Sequence, residues 1–346
     1  MCLFRQVADF GAPLPIVTLT GGDPFKRKDL FVLLECARRL DLRPELSLSG
    51  TTSLTRAAFE EARAAGAARV SLGLDGSCAQ THDAFRGVPG SFALTMAGCG
   101  LAVKAGLPLQ VDTTISRHNL ADLVNLARVV ESLRVSSWNL HFLVRHADAR
   151  QALLPEELEA VLFFLVDISR VARSQTNEAH HFRRALLMRK VLTDLGLKVG
   201  GPHWPLHPLY SQLSEAWLAG QESSGVARPE DQPRTLGADP QDSIFIGQLG
   251  DVFPSAFLPI CVGNVLDAPL THIYRQSPLL RALRNPARLQ GHCGACEFRG
   301  ICGGSRSRAF STYANPLGPD PACCYDPGSF PFQEQLRPYL ALSQLR

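Results

Sequence analysis

Strand-like and helix-like segments alternate from residue 15 to residue 144, and no other feature limits the fold as sharply. PIVTLT (15–20) is a short, β-branched apolar run that ends in GGDP, which specifies a buried strand followed by a turn. DLFVLLECARRL then sets Leu30, Leu33, Leu34, Ala37 and Leu40 on one helical stripe, with Asp29 as N-cap. The pairing recurs. ELSLSG (45–50) precedes LTRAAFEEARAAG (54–66), ARVSLGLDG (68–76) precedes SFALTMAGCGLAVKAG (91–106), and PLQVDTTI (108–115) precedes LADLVNLARVVESL (120–133), before a fifth strand at SSWNLHFLV (136–144). Strand-helix units of about 30 residues argue for a parallel sheet wrapped by helices, and right-handed crossovers curl such a sheet into a full or partial barrel.

Sites in folds of this class lie at the C-terminal ends of the strands, where this chain places GGDP, SGT, LDG, DTT and LVRHAD. Any one of these is an ordinary turn; together they are expected on one rim. Two more helical stretches, PEELEAVLFFLVDIS and HFRRALLMRKVL, extend the first domain to residue 200. Residues 201–242, rich in Pro, Gly, Ser and Gln, read as a loop or joint. SIFIGQLGDVFPSAFLP (243–259) reads as a hairpin turning at Gly250-Asp251 and opens a second domain that runs to residue 330, followed by a tail at 331–346. A net charge of +3 on 346 residues leaves no electrostatic footprint for a nucleic-acid or acidic-membrane partner. With neither a membrane-length apolar run nor a secretory signal pattern, the chain is expected in the cytoplasm.

Five of the ten cysteines, Cys293, Cys296, Cys302, Cys323 and Cys324, fall in CGACEFRGICGGSR and DPACCYDP. Three thiols within ten residues let one loop wrap a metal centre, with Cys323 or Cys324 returning as a fourth ligand. Four thiolates suit either a 4Fe–4S cluster or a zinc ion; the spacing does not choose, and taken alone it leans slightly to zinc. The glycine-rich, polar setting argues against plain core cysteines. Cys36, Cys78 and Cys99 have no partners in sequence and are expected to be structural, and Cys261 in ICVGNV is expected to be a buried small side chain.

Taken in order, TGGDP (20–24), SLGLDG, THDAFRGVPGSF and VDTTISRHN resemble the GGEP-type motif and following barrel segments of radical S-adenosylmethionine enzymes. The stretch from IGQLGDVFPSAFLPICVGNV through CGACEFRGICGGSRSRAF to DPACCYDP is similar to their SPASM/twitch extension, in the branch related to haem d1 and alternative haem biosynthesis. The resemblance implies a partial (β/α)6 radical SAM barrel plus a small cysteine-rich SPASM/twitch domain. It implies S-adenosylmethionine contacts at Gly21, Gly22 and Asp23, with Pro24 shaping the turn, at Ser49 and Thr51 near the ribose, and at Asp75, Arg86 and Thr114 along the same rim. A cation such as Arg86 suits the methionine carboxylate, and carbonyls with a carboxylate suit its ammonium. It further implies an auxiliary 4Fe–4S cluster on Cys293, Cys296, Cys302 and Cys323, with Cys324 spare, and an electron donor such as flavodoxin or ferredoxin.

The family's CxxxCxxC loop should precede GGDP, yet only Cys2 lies upstream of that motif. The reading is therefore a barrel lacking its first strand and cluster loop, most simply a fragment, with a second 4Fe–4S cluster expected only in a full-length protein. Two smaller departures are Ser305, where several relatives carry a cysteine, and LVRHADA around Arg145, where relatives carry an LVPTGRG-like turn. NEAHHFRR (177–184) resembles a TEAPHYRR-like stretch of the same branch. Glu178, His180, His181, Arg183 and Arg184 could form a polar cluster that meets propionate carboxylates there, against the blander reading of a solvated helix start. As a haem-branch enzyme the protein is expected to generate a 5′-deoxyadenosyl radical that abstracts hydrogen from a tetrapyrrole propionate, with loss of CO2 or of the side chain. The rivals are a peptide-modifying SPASM maturase and a non-catalytic iron–sulfur or zinc protein.

Overall fold

A computed structural model describes residues 2–144, 149–169, 175–178, 181–221 and 243–343. His180, Arg145 and most of the expected joint lie outside these residues. The chain forms two compact units, residues 1–141 with 264–275, and residues 142–263 with 276–346.

The first unit opens with α1 (Cys2–Ala8) and continues β1 (Ile16–Leu19), α2 (Leu30–Arg38), β2 (Arg43–Leu48), α3 (Arg56–Ala65), β3 (Arg69–Gly73), α4 (Ala79–Arg86), α5 (Ser91–Lys104), β4 (Leu109–Ile115), α6 (Leu123–Ser132) and β5 (Ser137–Phe142). The strands lie in sequence order and parallel, Ile16 opposite Arg43, Glu45 opposite Arg69 and Val70 opposite Leu109, and form the curled half-barrel expected of the alternation. Helices cover the sheet, so β2 to β4 read as apolar runs: Leu46, Val70, Leu72 and Val111 are fully buried against Leu34, Phe59 and Leu126. Thr113 and Trp138 cross that core without leaving polar atoms unpaired. The Trp138 indole donates to Thr113 Oγ1 (2.9 Å), which donates to the Leu74 carbonyl (2.6 Å). Residues 264–275 return to α1 through Gln6, whose Oε1 accepts from the Leu270 amide (2.7 Å), and through Phe10 packed edge-on against Tyr274.

The second unit contains α7 (Pro155–Ser169), β6 (Gln175–Glu178), α8 (Phe182–Asp194), α9 (Leu209–Gln221), and the antiparallel pair β7 (Phe245–Ile246) and β8 (Asp251–Phe253). That pair is the expected hairpin, with Gly250 at φ 89° in its turn. After α10 (Leu270–Gln276) come α11 (Pro278–Leu283), α12 (Gly291–Ala295), α13 (Arg306–Tyr313) and α14 (Gln333–Ser343). Among the helices that stand where none was expected are α9 inside the 201–242 joint and α14 in the 331–346 tail. The joint's helix is held by Leu213 and Trp217, both buried, and by Tyr210, whose hydroxyl donates to Asp167 on α7 (2.6 Å). The tail's helix is held by fully buried Leu336 and by Tyr339, which donates to Asp194 on α8 (2.8 Å). Among the described residues no helix is long and apolar enough to cross a membrane.

The helix α7 is buried on nearly every face, and a charge sits in the middle of that apolar surround. Glu159 receives both terminal nitrogens of Arg184 from α8, Nη1 at 2.8 Å and Nη2 closer still, with the arginine side chain 1% exposed. A buried pair of this kind adds little over an apolar pair of the same shape, but halving it strands a charge. We expect Glu159→Gln to lower the urea unfolding free energy by about 3–5 kcal/mol, and Glu159→Gln with Arg184→Met to recover most of it. Equal unfolding midpoints for wild type and the single variant would remove Glu159 from this role.

Candidate functional site

Two polar clusters form at the strand ends of the first unit. After β1 the chain turns through Gly21 (φ 100°) and Gly22 (φ 55°), left-handed positions that side chains rarely adopt, and delivers Asp23. The Asp23 carboxylate accepts from the Phe25 amide on Oδ1 (3.1 Å), capping a short turn started by Pro24, and from Thr51 Oγ1 on Oδ2 (2.6 Å) and Ser53 Oγ. So the structure brings Asp23 and Thr51 together, while Ser49 is exposed. Ser53 was missed. Its one trace in the sequence is its place two residues after Thr51 in SGTTS.

Beyond β3, Asp75 is fully buried, and its Oδ2 meets Arg86 Nε at 2.6 Å. The Thr114 amide donates to Oδ1 (2.7 Å), and Asn119 bridges the Asp75 and Thr114 carbonyls, each at 2.9 Å. Burial pushes the Asp75 carboxyl above its ordinary range despite the Arg86 charge. Arg86 lies directly over Gly73, where a Cβ would come within 1.9 Å of Nη2 and the guanidinium would have to shift. Its side chain keeps 39% exposure beyond the Asp75 contact. His82, 1% exposed, accepts the Asp75 amide on Nδ1 (3.0 Å).

In the second unit Cys293, Cys296, Cys302 and Cys323 all line one cavity of about 220 Å³. Cys261 and Cys324 do not line it, and both are exposed, Cys261 contrary to the burial expected of it. Among the described residues no three His, Cys, Asp or Glu side chains gather as a single-ion site. Polar groups surround the sulfurs. Cys293 Sγ receives the Asp320 amide (3.3 Å) and Arg306 Nη2 (3.5 Å), and His181 Nδ1 lies 4.0 Å from Cys302 Sγ. The Asp320 carboxylate, 4% exposed, holds His181 Nε2 (3.0 Å), Arg308 Nε and Nη2 (3.0 and 2.8 Å), and the Ser305 amide (2.5 Å). Burial opposes its charge, but Arg308 and His181 outweigh burial and hold the carboxyl well below its ordinary range. Burial pushes the Cys293 thiol up and the Cys296 thiol up to about 12, whereas at Cys323 the hydrogen bond and charge of His181, with Arg184, overcome burial and pull the thiol down.

Ser305, standing where relatives carry cysteine, is the N-cap of α13, its hydroxyl accepting from the Arg308 amide (3.3 Å). Of the residues read as propionate contacts, Arg184 is buried against Glu159 and beneath the Tyr325 ring (5.0 Å), Arg183 is half-buried, and Glu178 falls in β6. Asp320, Arg306 and Arg308 had not been singled out, although they lie in the same motifs as the cysteines.

The His82 contact carries a pH dependence. Burial, with the Arg86 charge, lowers its imidazole from 6.5 to about 4, so between those values the unfolded chain binds more protons and stability falls as the medium is acidified. The effect is about 3 kcal/mol at most. His82→Asn keeps an acceptor for the Asp75 amide without a proton to gain, and its unfolding midpoint is expected to fall less steeply than that of wild type from pH 6.5 to 4. Parallel pH profiles would show that His82 is not the group responsible.

Residues 3–130 match the family model of the Radical SAM superfamily. Over 93% of its length the chain is 31% identical to the AdoMet-dependent heme synthase of Methanosarcina barkeri, covering 85% of that protein. It is 23% identical to the PqqA peptide cyclase of Rhizobium meliloti, over 94% of the chain and 77% of the relative. In fold it is similar to Streptococcus suis SuiB bound to S-adenosylmethionine, with a TM-score of 0.61 at 14% identity over 93% of this chain and 69% of that one. Likeness that runs through the barrel motifs and the cysteine module alike, over most of both chains, makes this protein a member of the radical SAM superfamily.

Proposed function

We propose that the protein is a radical SAM enzyme acting on a propionate side chain of a haem-related tetrapyrrole, with an auxiliary 4Fe–4S cluster on Cys293, Cys296, Cys302 and Cys323. One observation carries the cluster: the three thiols grouped by their spacing and Cys323, which the resemblance implies as the fourth ligand, line a single cavity together with His181 and Arg184. The donor set is all sulfur, which suits iron–sulfur chemistry, and membership of the radical SAM superfamily supports that reading over one zinc ion. The likeness to AdoMet-dependent heme synthase over 93% of the chain supports the substrate class.

S-adenosylmethionine and a reducing cluster supply hydrogen-abstraction chemistry in this family, and an auxiliary cluster supplies a site that accepts an electron or holds substrate. The chain's own groups do the holding. Asp23, braced by Thr51 and the Phe25 amide, keeps acceptor capacity on Oδ1 for the cofactor's ammonium, with the Gly21-Gly22 backbone beside it. Arg86, aimed by the buried Asp75 and partly exposed, suits the cofactor's carboxylate; Asp75 and the Thr114 amide act as its positioning groups. Ser49, exposed at the end of β2, suits the ribose. An electron donor of the flavodoxin or ferredoxin type completes the scheme.

The sequence in hand contains no CxxxCxxC triad, so the decisive tests are of binding. Anaerobic reconstitution is expected to give about four irons and four sulfides per chain. Serine at Cys293, Cys296, Cys302 or Cys323 is expected to lower iron content, and Cys261→Ser and Cys324→Ser to leave it unchanged. Asp23→Asn is expected to weaken S-adenosylmethionine binding about tenfold in equilibrium dialysis, a loss of about 1.4 kcal/mol. An iron porphyrin with free propionates should bind, and its methyl ester should not. Zinc in place of iron ends the cluster reading; binding of a precursor peptide with no porphyrin ends the tetrapyrrole reading.

A further inference from the structure

Of the cationic or ionisable groups in and behind the cavity wall, the exposed His292 lies 3.8 Å from Asp326, and the exposed Arg299 donates to the Gly294 carbonyl (3.1 Å). Three buried ones have a carboxylate: Arg184 has Glu159, while Arg308 and His181 share Asp320. Arg306 is buried without one. It is 7% exposed, and among the described residues no carboxylate lies within salt-bridge distance of it. Its guanidinium is instead spent on neutral carbonyls and one sulfur: Nε on Gly304 (3.3 Å), Nη1 on Pro316 (3.1 Å) and Gly318 (2.7 Å), and Nη2 on Cys293 Sγ (3.5 Å). A buried cation without a counter-charge costs several kcal/mol, so a site of this kind calls for an anion, and the sulfur is the one contact that can carry the charge.

The backbone is shaped to keep this contact. Gly304 sits at φ 64°, and a Cβ there would come within 2.8 Å of Asp320 Cβ, 2.9 Å of Arg306 Nη2 and 3.1 Å of Cys293 Sγ. The three groups therefore converge over one glycine. The Asp320 amide points at the same sulfur (3.3 Å), so Cys293 receives two N–H donors, one of them charged. Hydrogen bonds and positive charge at a ligating sulfur stabilise the more negative, reduced form of an iron–sulfur cluster and raise its potential.

We infer that Arg306 is a positioning residue that raises the reduction potential of the auxiliary cluster through its contact with the Cys293 sulfur. This rests on the four-cysteine cluster proposed above. The test is a redox titration of the reconstituted full chain followed by electron paramagnetic resonance, with iron counted in the same samples. Arg306→Gln keeps a donor without the charge, and Arg306→Lys keeps the charge without the fork to the Pro316 and Gly318 carbonyls. The expected result is a midpoint shifted to more negative potential in Arg306→Gln at unchanged iron content, with Arg306→Lys returned toward wild type. An Arg306→Gln cluster at the wild-type potential overturns the inference. Should that variant hold no iron, Arg306→Lys decides. A lysine chain with full iron near the wild-type potential upholds the role of charge; a lysine chain that also loses iron assigns Arg306 to bracing the loop and overturns it. Wild-type chain that takes up zinc, or no iron, refutes the cluster reading instead and is told apart by the metal count alone.

Discussion

The cysteine cavity of the second unit depends on the Asp320 carboxylate. Both oxygens are used: Arg308 brackets them, His181 and the Ser305 amide take Oδ2, and the Ala322 amide takes Oδ1 (3.0 Å). Those contacts gather three stretches of chain, the start of α8, the start of α13 and the 320–323 turn, around one buried charge. Cys302 and Cys323 sit against His181, and Cys293 takes the amide of Asp320 itself. Removing the carboxylate would leave two cations without their partner and release the 320–323 turn, which carries a cysteine at its end. A buried charge of this kind adds little net stability, but it fixes one arrangement of the groups around it, which is what a four-thiol site requires.

The first unit uses a buried aspartate in a parallel way. Asp75 ends one strand, receives the amide of Thr114 from the next, and orients Arg86 from the helix between them. Asp23 plays the more exposed version of the part, gathering Thr51 and Ser53 from the neighbouring strand end. In each case a carboxylate draws donors from adjacent strand-to-helix connections, which in a parallel sheet all emerge at one end. The half-barrel thus supplies the positions, and a few buried carboxylates turn loose turns into rigid ones.

The alternation was legible because strands β2 to β4 are buried on both faces and their helices carry clean apolar stripes; α3 ends on Gly66 in the left-handed conformation, as its sequence indicates. What escaped notice has the opposite character. The helix α4, AQTHDAFR, buries only His82, so no stripe marks it. The residues flanking α9 are rich in proline, which hid the four-residue spacing of Leu209, Leu213 and Trp217. Three of the lining cysteines could be read from spacing because one loop carries them, whereas spacing left Cys323 and Cys324 as alternatives for the fourth. The groups around them could not, since His181 and Asp320 meet across 139 residues of chain, and sequence proximity says nothing about such a pair. Ser305 is the instructive residue. Compared with relatives it reads as a lost ligand, yet its side chain has full employment as a helix cap and its amide serves Asp320.

The thiols themselves are uneven, and the unevenness has a physical source. Burial disfavours the thiolates of Cys293, Cys296 and Cys323, and at Cys293 and Cys296 it prevails. At Cys323 the imidazole of His181 and the guanidinium of Arg184 reverse it. If the proposed cluster binds here, the metal supplies what these charges do not at Cys293 and Cys296, with release of protons. The cationic wall lowers that demand on one side of the cavity, and the carboxylates Glu159 and Asp320, set behind the cations, keep the wall in place in the absence of any ligand. The site is thus ordered in advance for an anion larger than a single thiolate, and the order resides in residues that never touch it.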